Sequence, residues 1–358
     1  MQASATDEVL IRREGRAGRI TMNRPKALNA LTYGMVGRIW DALAGWSRDP
    51  AVALVVLDGT GDRALCAGGD VRSLYDSRVD GPGYARGFWR DEYRLNAVIG
   101  RYPKPYVAIQ DGIVMGGGIG LSAHTRHRIV TERSQLAMPE TGIGLIPDVG
   151  GTWLLAHAPG ETGVYLGLTG QTMRAADAIY ARFSDTFIPS ASLSELLERM
   201  VDPKGGDPSD IMRALAGMPG ASELEQRRGD IDRLFGHASV EAIIDTLAAT
   251  PGEWAEKTSS ILTQKSPKAL KLALAAIRGA RGLASLEEAL NVEYRLTTRL
   301  FEDGEFPEGV RALIVDKDRQ PKWAPPRLGE VTDDLISRYL APLPAGEELG
   351  LDARSTCA

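Results

Sequence analysis

Short β-rich runs and helix-like stretches take turns along the first 190 residues or so. VLIRRE, GRITMN, VALVVLDG, PYVAIQDG and RHRIVTE carry the β-branched, alternating character of strands. The stretches between them, beginning with ALTYGMVGRIWDALAGW, carry apolar residues at helical spacing. A chain that keeps switching period in this way is driven to a layered α/β core, because each sheet face and helix stripe must bury itself on another layer. The segment from Ser73 to Arg101 supplies one such cover. Leu74, Tyr75, Phe88, Trp89, Tyr93 and Leu95 give it an apolar side, and Gly81, Pro82 and Gly83 mark a loop within it. Beyond about residue 190 the strand signal fades, and SLSELLERMV, SVEAIIDTLAA, PGEWAEKTSSILTQ, SPKALKLALAAI and SLEEALNVEYRLTTRLFE read as helices. DPKGGDPSD is the natural junction. The expected organisation is an α/β core over residues 1–200, a mostly helical region over 201–345 packed on it, and a mobile tail over 346–358. No repeat of 20 to 50 residues is present, which sets solenoids aside.

The chain's 358 residues and its 43% hydrophobic and 25% charged content are those of a globular protein with a sizeable core. With 42 basic against 47 acidic residues and no long basic run, nucleic acid is excluded as the main partner. No segment reaches the roughly 20 apolar residues needed to span a bilayer. The opening MQASATDEVLIRREG has neither the apolar centre of a signal peptide nor the basic amphipathic character of a transit peptide, so a cytoplasmic location, or a chain already processed, is expected. Two cysteines, Cys66 and Cys357, give no disulfide framework and no metal quartet, and Cys66 in ALCAGG reads as a small buried thiol. Among the histidines only His124 and His127 are close in sequence, and a hydrogen-bonded or surface role suits them better than a metal. No metal is assigned.

Chemistry is suggested by glycine and by two acids. ALCAGGD, residues 64 to 70, follows the strand VALVVLDG, and MGGGIG, residues 115 to 120, follows PYVAIQDG. Glycine lets backbone approach a ligand closely. If the two loops face one point, the amides of Gly69 and Gly117 aim at a single oxygen, an oxyanion hole whose individual donors are worth roughly 2.7–4 kcal/mol in acyl transfer. Gly118, Gly120 and Ala123 also fit the G-x-G-x-x-A pattern of dinucleotide-binding folds. That pattern expects an acid about 20 residues on, whereas Glu132 follows Gly118 by 14. Tight turns and close packing are a third use for the same glycines. In MPETGIGLIPDVGG, residues 138 to 151, Glu140 and Asp148 stand among glycine, proline and aliphatic residues. Burying a carboxylate costs several kcal/mol unless it is paired. Each acid follows a proline, which favours turns over one continuous helix and lets the two converge. Asp148, ahead of Gly150, Gly151 and TWLLAHA, equally suits a helix N-cap.

Taken together, NRPKALNAL (23–31), ALCAGGDVR (64–72), KPYVAIQDGIVMGGGIGLS (104–122) and MPETGIGLIPDVGGTW (138–153) resemble the crotonase, or enoyl-CoA hydratase/isomerase, superfamily. VEYRL (292–296) and EGVRALIVDKDRQPKW (308–323) extend the likeness over nearly the whole chain, and within the superfamily it is similar to the branch that hydrolyses 3-hydroxyisobutyryl-CoA. The resemblance implies a crotonase-like spiral of ββα turns for the core, a C-terminal helical region folded over it, and a homo-oligomeric assembly. Coenzyme A enters as part of an acyl-CoA substrate, with no separate cofactor. By the same resemblance Gly69 and Gly117 hold the thioester carbonyl, Glu140 is the chief catalytic carboxylate and Asp148 its partner. Glu92, in RDEYRLN, lines the pocket where its spacing alone would suggest a solvated helix face. Ala27, Ala67, Asp70 and Arg72, with Arg24 and Lys26 nearby, belong to segments beside coenzyme A. Superfamily hydratases carry a catalytic glutamate at the position of Gly120, and hydratases similar in motif carry glycine at the position of Asp148.

The activity this implies is hydrolysis of an acyl-CoA thioester, 3-hydroxyisobutyryl-CoA foremost, within valine breakdown. The chain has no G-x-S-x-G elbow, so a carboxylate must do the work, either as general base on a water or by direct attack to form a mixed anhydride. Hydration or isomerisation of an enoyl thioester, a nicotinamide-dependent oxidation and thioester binding without turnover are the alternatives.

Overall fold

The computed structural model describes residues 8–352. Its strands are β1 (Val9–Glu14), β2 (Ala17–Met22), β3 (Leu54–Gly59), β4 (Ala64–Cys66), β5 (Tyr106–Gln110), β6 (Ile113–Met115), β7 (His127–Val130), β8 (Gln135–Ala137) and β9 (Thr186–Phe187). They sort into a sheet of order β1-β2-β3-β5-β7-β9 and a smaller sheet of order β4-β6-β8. β1 and β2 form an antiparallel pair in which Val9 faces Met22 and Glu14 faces Ala17, and every later pairing in both sheets is parallel. The pairs β3–β4, β5–β6 and β7–β8 each put one strand in either sheet, which is the expected spiral.

The parallel strands read as nearly continuous apolar runs because both faces are covered. Along β3, Val55 and Leu57 enter the main core while Leu54 and Val56 pack on the opposite face with Leu196 and Met200. This is the two-residue alternation of a strand. Helix α1 (Tyr33–Arg48) starts where Thr32 Oγ1 accepts from Met35 N at 3.3 Å, and it buries Met35, Val36, Ile39 and Leu43. The Ser73–Arg101 segment folds as α2 (Val71–Ser77) and α3 (Gly83–Gly100), with the loop at Gly81 to Gly83. Two short helices, α4 (Gly117–Ser122) and α5 (Gly151–Ala156), follow the two motif regions.

Leu193–Val201, Val240–Ala249, Glu253–Thr263, Pro267–Ala280 and Leu286–Glu302 are helices on the runs that predict them. One hydrophobic cluster contains Val9 and Ile20 of the sheet together with Leu290, Tyr294 and Leu349, so the C-terminal region shares its core with the α/β part. The mobile tail expected from residue 346 needs correction over 346–352. Glu347 pairs with Arg86, Glu348 with Arg295 at 3.0 Å, Leu351 N donates to Asn291 Oδ1 at 3.0 Å, and Leu349 is buried. The two acids of this stretch thus each pair with an arginine of the helices beneath. Residues 353–358, Cys357 included, lie outside the described residues. No helix among the described residues is long and apolar enough to cross a membrane.

Candidate active site

Because β4, β6 and β8 run parallel, their carboxyl ends share one edge, the edge where α/β proteins bind ligands. Gly69 follows the end of β4 by three residues, Gly117 follows β6 by two, and Glu140 follows β8 by three. All three line one cavity of about 210 Å³. Glu92 enters it from α3 and Asp148 from the turn before α5, while Phe88, Trp89, Leu145 and Phe306 give it an apolar wall. Glycine is required at this corner. A methyl group on Gly117 would lie 2.7 Å from Glu92 Oε1 and 3.3 Å from Gly69 N, and one on Gly116, whose φ is +45°, would lie 2.9 Å from Glu140 Oε1. The loop's backbone bonds run from Leu31 N to Gly68 O at 2.9 Å and from Asp70 N to Leu31 O at 2.8 Å, stepping over the Gly69 amide.

Glu92, Glu140 and Asp148 are 2%, 5% and 5% exposed, so three acids share a nearly closed apolar space. Glu140 opens a 3₁₀ turn, Glu140–Ile143, and among the described residues neither its Oε2 nor Oε1 of Glu92 has a hydrogen-bond partner. Burial, then the charge of Asp148, drives the carboxyl groups of both glutamates well above the usual range, and the Lys265 ammonium opposes this at Glu140. Asp148 is raised less, to about 6, because burial is countered by the Tyr93 hydroxyl, which donates to its Oδ2 at 2.6 Å. Asp148 does not cap α5, since Gly150 occupies the N-cap and makes no side-chain bond.

The turn behind Asp148 is strained. Val149 has φ of +54°, a left-handed conformation that costs a β-branched residue roughly 1–3 kcal/mol. Its carbonyl accepts from His124 Nε2 at 2.7 Å, which requires that nitrogen to carry the proton, and burial depresses the His124 pKa to about 4. Gly150 N and Thr152 N donate to the two oxygens of Glu293 at 2.7 and 2.9 Å, and the Thr152 hydroxyl donates there as well. Glu293 itself is fully buried, and its pKa rises to about 8 because desolvation outweighs those bonds.

Five of the residues singled out in the sequence therefore meet: Gly69, Gly117, Glu92, Glu140 and Asp148, with Ala67 beside them. Three do not enter the cavity. Ala27 is exposed on the 3₁₀ turn Pro25–Ala27, Asp70 caps α2 through Ser73 N and pairs with Arg24 at 3.1 Å, and Arg72 is exposed and paired with Asp76 at 2.8 Å. Arg24 is held by Glu8, Asp70 and Ala30 O. Cys66 is buried as expected, and burial pushes its thiol up to about 12. Sequence reasoning missed Asn96 and Glu293 and read Tyr93 only as part of the apolar cover, whereas His124 has the hydrogen-bonded role expected of it. Asn96 was legible in principle, since it falls one turn from Glu92 on the same helix. Asn96 is fully buried beside Gly120, where a methyl group would lie 2.7 Å from Asn96 Nδ2 and 2.8 Å from Val149 Cβ.

Comparison with known proteins bears on the same residues. The profile of the family described as Enoyl-CoA hydratase/isomerase matches residues 17–340. A 3-hydroxyisobutyryl-CoA hydrolase, mitochondrial, of Danio rerio is 40% identical over 96% of this chain and 92% of its own. A protein of the same name from Xenopus tropicalis is 42% identical over 94% and 89%. A crystal structure titled as a carnitinyl-CoA dehydratase from Mycobacterium thermoresistibile superposes with a TM-score of 0.91 at 44% identity, over 96% of this chain and 98% of that one. The matched span takes in both glycine loops and both acids, and this chain belongs to the enoyl-CoA hydratase/isomerase family.

Proposed function

We propose that the chain hydrolyses acyl-CoA thioesters, with 3-hydroxyisobutyryl-CoA as substrate and 3-hydroxyisobutyrate and free coenzyme A as products, a step of valine breakdown. The observation that carries this reading is the placement of Glu140 and Asp148 in one apolar cavity beside Gly69 and Gly117. The thioester carbonyl takes its place between the two glycine amides, which stabilise the developing oxyanion. Glu140 accepts a proton from water as the water oxygen bonds to the carbonyl carbon. Collapse of the adduct breaks the carbon–sulfur bond, and the same proton passes from Glu140 to the departing sulfur. A buried carboxyl group of raised pKa suits both halves of that task, being a stronger base than a surface carboxylate and a usable acid afterwards. Direct attack by Glu140 to give a mixed anhydride is the competing route, and label found in Glu140 after a single turnover in ¹⁸O-water would establish it, because water oxygen enters that carboxyl only when it opens an anhydride at the Glu140 carbon. Asp148, the more acidic of the two, stays ionised and accepts a hydrogen bond from the attacking water or from the substrate's 3-hydroxyl. Glu92 borders the same space. Ala67 lines the cavity, while Ala27, Asp70 and Arg72 serve the nucleotide end of coenzyme A outside it.

Thiol release from 3-hydroxyisobutyryl-CoA, measured beside 3-hydroxypropionyl-, isobutyryl- and crotonyl-CoA, tests the reading. Fast release from the hydroxylated thioesters is expected, and no release from any of them would overturn it. Hydration of an enoyl thioester is the second reading, favoured by the family's name and by the dehydratase title of the similar structure. Asn96 and Val149 speak against it, because they fill the room that a side chain at Gly120 would need. Loss of the ultraviolet absorbance of crotonyl-CoA without thiol release would reverse the order of the two. The named hydrolase relatives are described as mitochondrial. A cytoplasmic location for this chain is the alternative, and fractionation of the source cells decides between them.

A further inference from the structure

We infer that Glu293, on the C-terminal helix Leu286–Glu302, is a positioning residue that sets the direction in which Asp148 enters the cavity. This rests on the proposed hydrolase reading for its consequence in turnover, though not for the clamp itself. Three observations meet here. Glu293 takes no part in lining the cavity, yet it is fully buried and spends both oxygens on the backbone amides of Gly150 and Thr152 and on the Thr152 hydroxyl. Those amides begin two residues after Asp148, on the far side of Val149, the one residue between them, which is held in a left-handed conformation it does not favour. His124 fixes the other end of that peptide through Val149 O. A strained turn persists only where its surroundings over-determine it, and Glu293 supplies the larger share of the bonds that do so.

The same helix reaches Asp148 by a second route. Thr297, one turn on from Glu293, lies 3.4 Å from the Tyr93 hydroxyl that donates to Asp148 Oδ2. This helix thereby governs a side chain of the α/β core without itself lining the cavity.

Two measurements on the full chain test this. In Glu293→Gln, an oxygen facing one of the two amides gives way to an NH₂ group that cannot accept, whichever protonation state Glu293 has, so hydrogen exchange over residues 149–152 should quicken at least tenfold relative to the rest of α5. That readout needs no substrate and decides the clamp even if the wild-type protein releases no thiol, a result that would instead overturn the hydrolase reading. In turnover, Glu293→Gln should lower kcat roughly tenfold to a hundredfold with KM within about twofold, since misplacement of a reacting group by an ångström can cost that much. In an Asp148→Asn background the same change should cost almost nothing further. Unchanged exchange overturns the clamp; equal losses with and without Asp148, or a fall in KM and kcat together, overturn the positioning role. If Glu293→Gln fails to fold, Thr152→Val removes one of the three bonds and should give the same pattern on a smaller scale.

Discussion

Eight residues separate Glu140 from Asp148, and the turns that carry them are built in opposite ways. The Glu140 turn is a short 3₁₀ piece whose carboxyl oxygen Oε2 has no hydrogen-bond partner among the described residues, and the Lys265 ammonium steadies its charge. The Asp148 turn is fastened from three sides, by Tyr93 on the carboxylate, His124 on the next carbonyl and Glu293 on the amides beyond. Burial is the same for both, so burial does not explain the difference. What differs is the surroundings of the charge: Glu140 faces the repulsion of the Asp148 carboxylate and keeps its proton to higher pH, while Asp148 has the Tyr93 donor aimed at it and stays the stronger acid. The proposed division of labour between a base at Glu140 and an orienting group at Asp148 follows this contrast in how the two turns are built.

Replacing Glu140 by Gln should do the most damage. A general base or nucleophile contributes on the order of 10²–10⁴ in rate, and Glu140→Gln should lose that much kcat while still binding coenzyme A thioesters; hydrolysis within a few-fold of wild type would end its role and with it the contrast drawn here. Asp148→Asn should cost about a hundredfold on 3-hydroxyisobutyryl-CoA and clearly less on isobutyryl-CoA. Equal losses on the two would assign Asp148 to the water and not to the substrate hydroxyl. Tyr93→Phe should have a milder effect of a different kind. Without the donated bond the Asp148 carboxyl rises above about 6, so more of it is protonated at any given pH, and the acidic limb of the kcat profile should move to higher pH. A limb that stays in place would show that the braced acid is not the one titrating.

The first sheet was legible because its strands are five or six residues long, except for β7 and the two-residue β9, and their apolar runs carry a clear period. The second sheet was not. Its strands are three residues each, too short to show any period, and they are recognisable in the sequence only by the glycine loops that follow two of them. The cavity is built at the ends of those short strands, so the motifs were visible while the layer that brings them together was hidden. Of the bracing residues, Glu293 was hardest to foresee. In EEALNVEYRL it is one acid among several on a long amphipathic helix, and the common fate of such a residue is a solvated face. Its importance arises from a contact spanning 143 residues of chain, which no local spacing encodes.

The smallest expected effect concerns stability and asks whether the braced side of the site carries a cost that the open side lacks. The Glu293 pKa is raised by folding from 4.5 to about 8, so the folded protein holds this proton more tightly than the unfolded chain does. Its contribution is therefore most favourable below about pH 4.5 and is lost as pH climbs through about 8. Between pH 6 and 7 the loss should approach about 1 kcal/mol, since one proton held by the folded state alone gives a slope near that size. Gln at position 293 cannot ionise, so urea unfolding of Glu293→Gln should show a flatter decline over this interval, whatever its absolute stability. Parallel declines in the two proteins would mean that the three donated bonds hold Glu293 ionised at neutral pH. The clamp on the Asp148 turn would then be a fixed charge, working against Asp148 electrostatically while aiming it by geometry.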